Sequence, residues 1–368
     1  MIKPKQLLRI AGITVLTAIL AVGCKRPTDP IDGNDNPIVI PPTYSFKNVD
    51  YSGQQSRLNQ LSEMTTYMKT GNDSGVVLDV EVLRAMFANT NENANGNFSF
   101  TTAKNLKDKC FEVDHDMFDQ FFEDMADASE STSPASNGVA GVMVSEDGEK
   151  SYLFDANGRE LTQYIEKGLM GAVFYYQATA VYMGTEKMDV DNEDVEEGKG
   201  TEMEHHWDEA YGYFGATTDF PDDIESVRFW AKYCVGRDAV LASVDSLGKA
   251  LRKGRAAISA KNYTLRDEAI SEAREAWELV SAGTAIHYLN GSIDNIGDDL
   301  VRNHELSEAW AFVNSLKYNP EKRITLAEID EIQEKIGDNL YEATVADLQA
   351  ARDQLAAIYG LDSVKSIL

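Results

Sequence analysis

Two stretches about a hundred residues apart carry the same phrase. His205-His206-Trp207-Asp208-Glu209-Ala210-Tyr211-Gly212-Tyr213-Phe214 aligns with His304-Glu305-Leu306-Ser307-Glu308-Ala309-Trp310-Ala311-Phe312-Val313, both reading His-x-x-x-Glu-Ala-aromatic-small-aromatic. Upstream, Ala178-Thr179-Ala180-Val181-Tyr182-Met183 aligns with Gly283-Thr284-Ala285-Ile286-His287-Tyr288 in the same order and at nearly the same offset. The small difference in offset falls in a connecting loop, where insertion is cheap. Each half then holds a long helix, a loop and a helix opening on His-x-x-x-Glu, which predicts two related helical bundles side by side.

The periodicity around the repeat agrees. Apolar residues recur at helical spacing over roughly 53–69, 78–89, 115–128, 158–184, 202–214, 222–235, 238–259, 263–290, 300–317, 325–336 and 344–358, so the fold class is all-α. Thr264 ahead of Leu265-Arg266-Asp267 and Thr325 ahead of Leu326-Ala327-Glu328 read as capping boxes. Asp147-Gly148 between Val142-Met143-Val144 and Tyr152-Leu153-Phe154 predicts one small β-hairpin. Trp207, Trp230, Trp277 and Trp310 sit on amphipathic helices and read as core.

The N-terminus gives an address. A basic segment, Met1 to Arg9, precedes an apolar run from Ile10 to Val22 that is too short to span a bilayer. With small residues before Cys24, residues 1–23 read as a lipoprotein signal peptide and Cys24 as the acylated residue, which places the chain at the cell envelope, on the outer membrane. Residues 24–43, with Pro27, Pro30, Pro37, Pro41 and Pro42, form an extended tether, because proline at that density blocks helix and central strand. The body follows over 44–368, divided at about 220 into a first and a second bundle. Cys110 and Cys234 either pair in an oxidising compartment or stay as free thiols; Cys234 lies at helical spacing from Val227 and Trp230.

Charge limits the partners. With 61 acidic against 34 basic residues and a net charge of −27, the chain repels phosphate backbones, which excludes general nucleic-acid binding and suits cations. The acidic loop Met188–Gly200 lacks the ligand order of an EF-hand and reads as solvated. No Gly-rich phosphate loop, Gly-x-Ser-x-Gly elbow or His-Glu-x-x-His motif is present, so no hydrolytic nucleophile is identified.

Residues three or four apart share a helix face, so His205 or His206 with Glu209, and His304 with Glu308, can each point at one spot. An imidazole beside a carboxylate suits zinc or iron, and such a site needs further ligands; His287, Asp208 and Glu204 are the candidates to complete it. The plainer account of the same spacing is a helix-surface pair worth about 0.2–0.5 kcal/mol, or a core histidine bonded to a carbonyl.

His206-Trp207-Asp208-Glu209 resembles the His-x-x-Glu core of imelysin-like proteins, whose fuller motif is Gly-x-His-x-x-Glu; Glu204 stands where that motif has Gly. The phrase HWDEAYGYFG, with the lipobox and tether, is similar to a family of Bacteroidetes lipoproteins of unknown function. The resemblance implies a two-bundle helical body with a pocket between the bundles, and a role in iron or haem uptake beside an outer-membrane receptor. It carries to His206 and Glu209 alone, as ligands of iron, haem or zinc; the internal repeat, not the resemblance, adds His205, His304, Glu308 and His287 as further ligands. A metallopeptidase with Glu209 as general base, and a metal-free structural or glycan-capture lipoprotein, are the rival expectations.

Overall fold

The computed structural model describes residues 38–368. The expected signal peptide, the acylation site Cys24 and the tether up to residue 37 lie outside the described residues.

Helix starts and stops follow the side chains that can satisfy them. Thr201 and Thr325 each accept from the backbone three residues on and receive a glutamate in return, so both close complete capping boxes. The described residues form twelve α-helices and one hairpin: α1 (Ser52–Thr70), α2 (Val80–Ala88), α3 (His115–Ser129), β1 (Gly141–Val144), β2 (Ser151–Phe154), α4 (Leu161–Leu169), α5 (Thr185–Met188), α6 (Glu202–Phe214), α7 (Phe229–Leu241), α8 (Ser243–Ser259), α9 (Tyr263–Asp294), α10 (Asp299–Ser315), α11 (Leu326–Ile336) and α12 (Val345–Tyr359). The fold is all-α with a small hairpin, its strands antiparallel and Gly141 opposite Phe154. Among the described residues no helix is long and apolar enough to cross a membrane.

Several boundaries differ from the periodicity, each for a local reason. The helix expected over 158–184 is α-helical only to Leu169 and continues as two π-helical segments, Met170–Tyr175 and Gln177–Tyr182. The one expected over 238–259 is cut at Ala242, which adopts φ +49°, while the Asp238 carboxylate accepts from the Val244 amide. The one expected from 222 begins only at Phe229, because Asp223 gathers the amides of Glu225 and Ser226 into a turn. At α9 the cap is Asn262, which accepts from the Leu265 amide, and Thr264 lies inside the helix. Cys110 and Cys234 are both buried and free.

The repeated phrase occupies α6 and α10. α6 packs along α1, α8 and the segment Gln177–Tyr182, while α10 packs along α4 and α9. The rod from Leu161 to Tyr182 therefore serves both, its first turns against α10 and its last against α6. Helices from either side of residue 220 lie against one another. Trp207, Trp230 and Trp277 are fully buried. The Trp207 indole donates to the Leu251 carbonyl at 2.9 Å and lies flush against Gly254, where a Cβ would stand 2.0 Å from the ring.

Residues 41–47 are docked onto this frame. The Pro41 carbonyl accepts from Arg252 at 3.0 Å, and Tyr44, fully buried, stacks on Tyr211 with ring centroids 3.5 Å apart. Its hydroxyl donates to Asp208 at 2.7 Å, the Lys47 carbonyl accepts from Arg255 at 3.3 Å, and Phe46 lies beneath the Arg255 guanidinium.

Candidate functional site

On α6, His206 and Glu209 meet as their spacing requires. His206 Nδ1 lies 3.0 Å from one Glu209 oxygen, and the other accepts from Gln54 Nε2 at 3.0 Å and from the Tyr182 hydroxyl at 3.1 Å. Burial works to raise the Glu209 pKa, but the hydrogen bonds from His206 and Gln54 outweigh it and hold the carboxyl below its ordinary value. Both carboxylate oxygens are thus occupied within the protein. His206 Nε2 has Glu202 at 3.7 Å, beyond hydrogen-bond range. His205 is half-buried and its Nδ1 has no partner.

Neither Asp208 nor Glu204, the acids expected to complete a site here, is free to join them. Asp208 accepts from Tyr44 and, at 2.9 Å, from Arg255 Nε, while Glu204 accepts from Arg255 Nη1 at 2.5 Å and closes the capping box with Thr201. Complete burial pushes the Asp208 carboxyl up to about 7, with Arg255 pulling the other way. These two side chains hold the docked N-terminal segment against α6 and α8.

The second copy of the phrase is arranged differently. His304 Nδ1 lies 2.5 Å from Glu160, a fully buried carboxylate at the start of α4, and its ring stacks on Tyr152 with centroids 4.5 Å apart and planes 8° from parallel. Burial works to lower the His304 pKa, but Glu160 outweighs it and holds the imidazolium above its ordinary range. Glu308 does not pair with His304; it faces Lys167 Nζ at 3.5 Å, and Lys167 also holds Glu166 at 2.6 Å. Burial works against the Lys167 charge, yet Glu166 and Glu308 raise its pKa above the usual lysine range. Burial also pushes the Glu305 carboxyl up to about 7.

The two nodes share a plan that the sequence echo only partly displays. Gln54 is the third residue of α1 and Gln163 the third of α4; Tyr182 donates to Glu209, and Tyr288 lies beside Glu308. Each node therefore collects a glutamine from a helix start, a tyrosine from the preceding long helix, and the glutamate of the repeated phrase. They differ in access. His304, Glu305 and Glu308 line an open cavity of about 390 Å³ together with Gln163, Lys167 and three tyrosines, Tyr152, Tyr233 and Tyr288. Lys69, Lys150 and Lys232, all exposed, stand around it.

His287 does not line that cavity. It is half-buried toward Leu368 and Arg237, and burial first, then Arg237, lower its pKa. Among the described residues no three His, Cys, Asp or Glu side chains are grouped to hold a metal ion. The six residues singled out from the sequence thus divide into a hydrogen-bonded pair at His206 and Glu209, a cavity wall at His304 and Glu308, and two separate histidines, His205 and His287. A carboxylate-oriented imidazole can bind or carry a proton, but no serine, threonine or cysteine lines the cavity to act as nucleophile.

Glu160, Gln163, Lys167 and the three tyrosines were not singled out from the sequence. A signal exists for Gln163 alone: glutamine at the third position of two helices, in Ser52-Gly53-Gln54 and Leu161-Thr162-Gln163. A family model described as "Domain of unknown function (DUF4856)" matches residues 41–362. No curated protein and no solved structure matches the chain.

Proposed function

The chain belongs to this family of unknown function, and we propose that it is a binding protein of the cell envelope, anchored through Cys24, that captures a small polar ligand in the cavity between α4, α9 and α10. One observation carries the reading: the second copy of the repeated phrase brings His304, Glu305 and Glu308 to an aromatic-walled cavity that also holds buried acceptors without donors, Gln163 Oε1 and Glu305 Oε2. Ligand sites are concave, with aromatic walls and a few convergent polar groups, and about 390 Å³ lies within their usual size range. A buried acceptor lacking a donor costs about 1–3 kcal/mol, which a donor on the ligand would recover.

The imelysin-like resemblance implies iron, haem or zinc instead. His304, Glu305 and Glu308 lining one cavity favour that reading, but the donor sets fit a metal poorly. Both Glu209 oxygens are engaged, Glu160 favours the protonated form of His304, which cannot ligate, and Lys167 places a positive charge beside Glu308. The metallopeptidase alternative shares this difficulty, since it needs a metal with an open position. Uptake beside an outer-membrane receptor is the envelope role the resemblance suggests.

A thermal-melting screen of the full chain tests both readings, using free amino acids, sugars, nucleosides, organic acids, ferric iron, zinc and haem. At a hundred times its dissociation constant a ligand adds about 2.7 kcal/mol of stability. We expect an organic compound to raise the melting midpoint of the parent and not of the His304→Gln/Glu305→Gln variant. A metal-induced rise lost in the variant would favour metal binding. No response to any compound would overturn the binding role.

A further inference from the structure

The charges around the cavity are sorted by depth, and on the binding role proposed above this sorting specifies a ligand. The inner wall is acidic and accepting. Glu308 is 5% exposed and Gln163 4%, so both are buried, and Glu166 and Glu305 lie beside them. Lys167 is the inner lysine, and Glu166 and Glu308 already engage it. The Glu305 carboxylate is seated on Gly291 of α9, where a Cβ would come within 2.5 Å of both its oxygens. Its Oε2 and the Oε1 of Gln163 are buried acceptors with no donor.

The mouth has the opposite sign. Lys69 lies in the last turn of α1, Lys150 sits in the hairpin turn and Lys232 lies on α7, so three elements distant in sequence bring lysines to one opening. Among the described residues none of the three takes part in an ion pair closer than 4 Å. In a chain of net charge −27 this is a local reversal of sign. Tyr152, Tyr233 and Tyr288 complete the wall.

A simple anion that enters past the lysines meets the inner carboxylates, and a simple cation must pass three ammonium groups first. A molecule with both charges satisfies both levels. We infer that the ligand is a small zwitterion of the amino-acid class, with its ammonium received by Glu305 and Gln163 and its carboxylate held at the mouth by Lys69, Lys150 and Lys232. The tyrosines pack against what lies between the two charged ends. Hydrogen bonds between charged partners are about twice as strong as neutral ones, so each end contributes to selection.

Calorimetric titration of the full chain with the free amino acids, followed by the N-acetylated and amidated forms of the tightest binder, tests this assignment. We expect acetylation and amidation each to weaken binding about tenfold or more. Glu305→Gln should abolish the preference for the free amine, and Lys150→Gln with Lys232→Gln the preference for the free carboxylate. Gly291→Ala supplies an independent check, because its methyl displaces the Glu305 carboxylate, a flexible side-chain end, and should weaken binding while the melting midpoint holds. Derivatives that bind as tightly as the parent overturn the assignment, as does a chain that binds no amino acid. If another compound class binds through His304 and Glu305, the zwitterion falls and the cavity's binding role stands; if nothing binds in either experiment, both fall.

Discussion

Asp208 shows how one side chain can serve structure in the middle of a phrase that invites a chemical reading. It is fully buried and accepts from Tyr44 and Arg255 through one oxygen. Tyr44→Phe takes a donor away from a buried acceptor and should cost about 1–3 kcal/mol, seen as a lower denaturation midpoint with ligand binding retained. Glu305 gives a prediction in pH. Its carboxyl is raised from 4.5 to about 7 by burial, so the folded chain keeps a proton that the unfolded chain has released. Its contribution to stability therefore falls as pH rises from about 4.5 to about 7 and levels off above that. Glu305→Gln should flatten that part of the profile, measured as denaturation midpoints at pH 5 and pH 8. An ammonium ligand should correspondingly bind more tightly as pH rises through 7.

At the scale of elements, α6 and α8 approach as closely as they do because residue 254 has no side chain. The Trp207 indole cannot retreat while its N–H is bonded to Leu251 in the same helix, so Gly254→Ala should cost about 1–3 kcal/mol by overpacking, read from thermal melting. The helices and the hairpin were legible because each is a local pattern: apolar spacing, a capping threonine, an Asp-Gly turn. The breaks were less so. Ala242 carries no turn chemistry in its identity, and the π-helical continuation of α4 reflects what the rod packs against. The same division runs through the site. His206 with Glu209 could be paired from their spacing alone. The partners Glu160 and Gln54 come from helices far away in the chain, and only packing brings them to His304 and Glu209.

For the whole molecule, the repeat expresses itself less as two separable bodies than as two polar nodes threaded by one rod. The first is closed by its own hydrogen bonds and the second is left open to a cavity. That asymmetry is why the better-matching phrase, at His206, does not mark the more accessible site. Anchoring is tested at the other end of the chain. Cys24→Ser should move the protein from the membrane fraction to the soluble one, and the intact mass should lose the acyl increment; a parent chain found soluble would remove the envelope assignment.

The docked segment from Pro41 to Lys47 has a mechanical consequence. Tension arriving along the chain from its N-terminal side meets the grips in series: first the single bond from Pro41 to Arg252, then the stacked and buried Tyr44, then the contact of Lys47 with Arg255. Only past these does it reach α1 and the Gln54 amide that holds Glu209. The segment works as a strain relief for α1: a pull from the N-terminal side is taken up by α6 and α8 before it reaches Gln54.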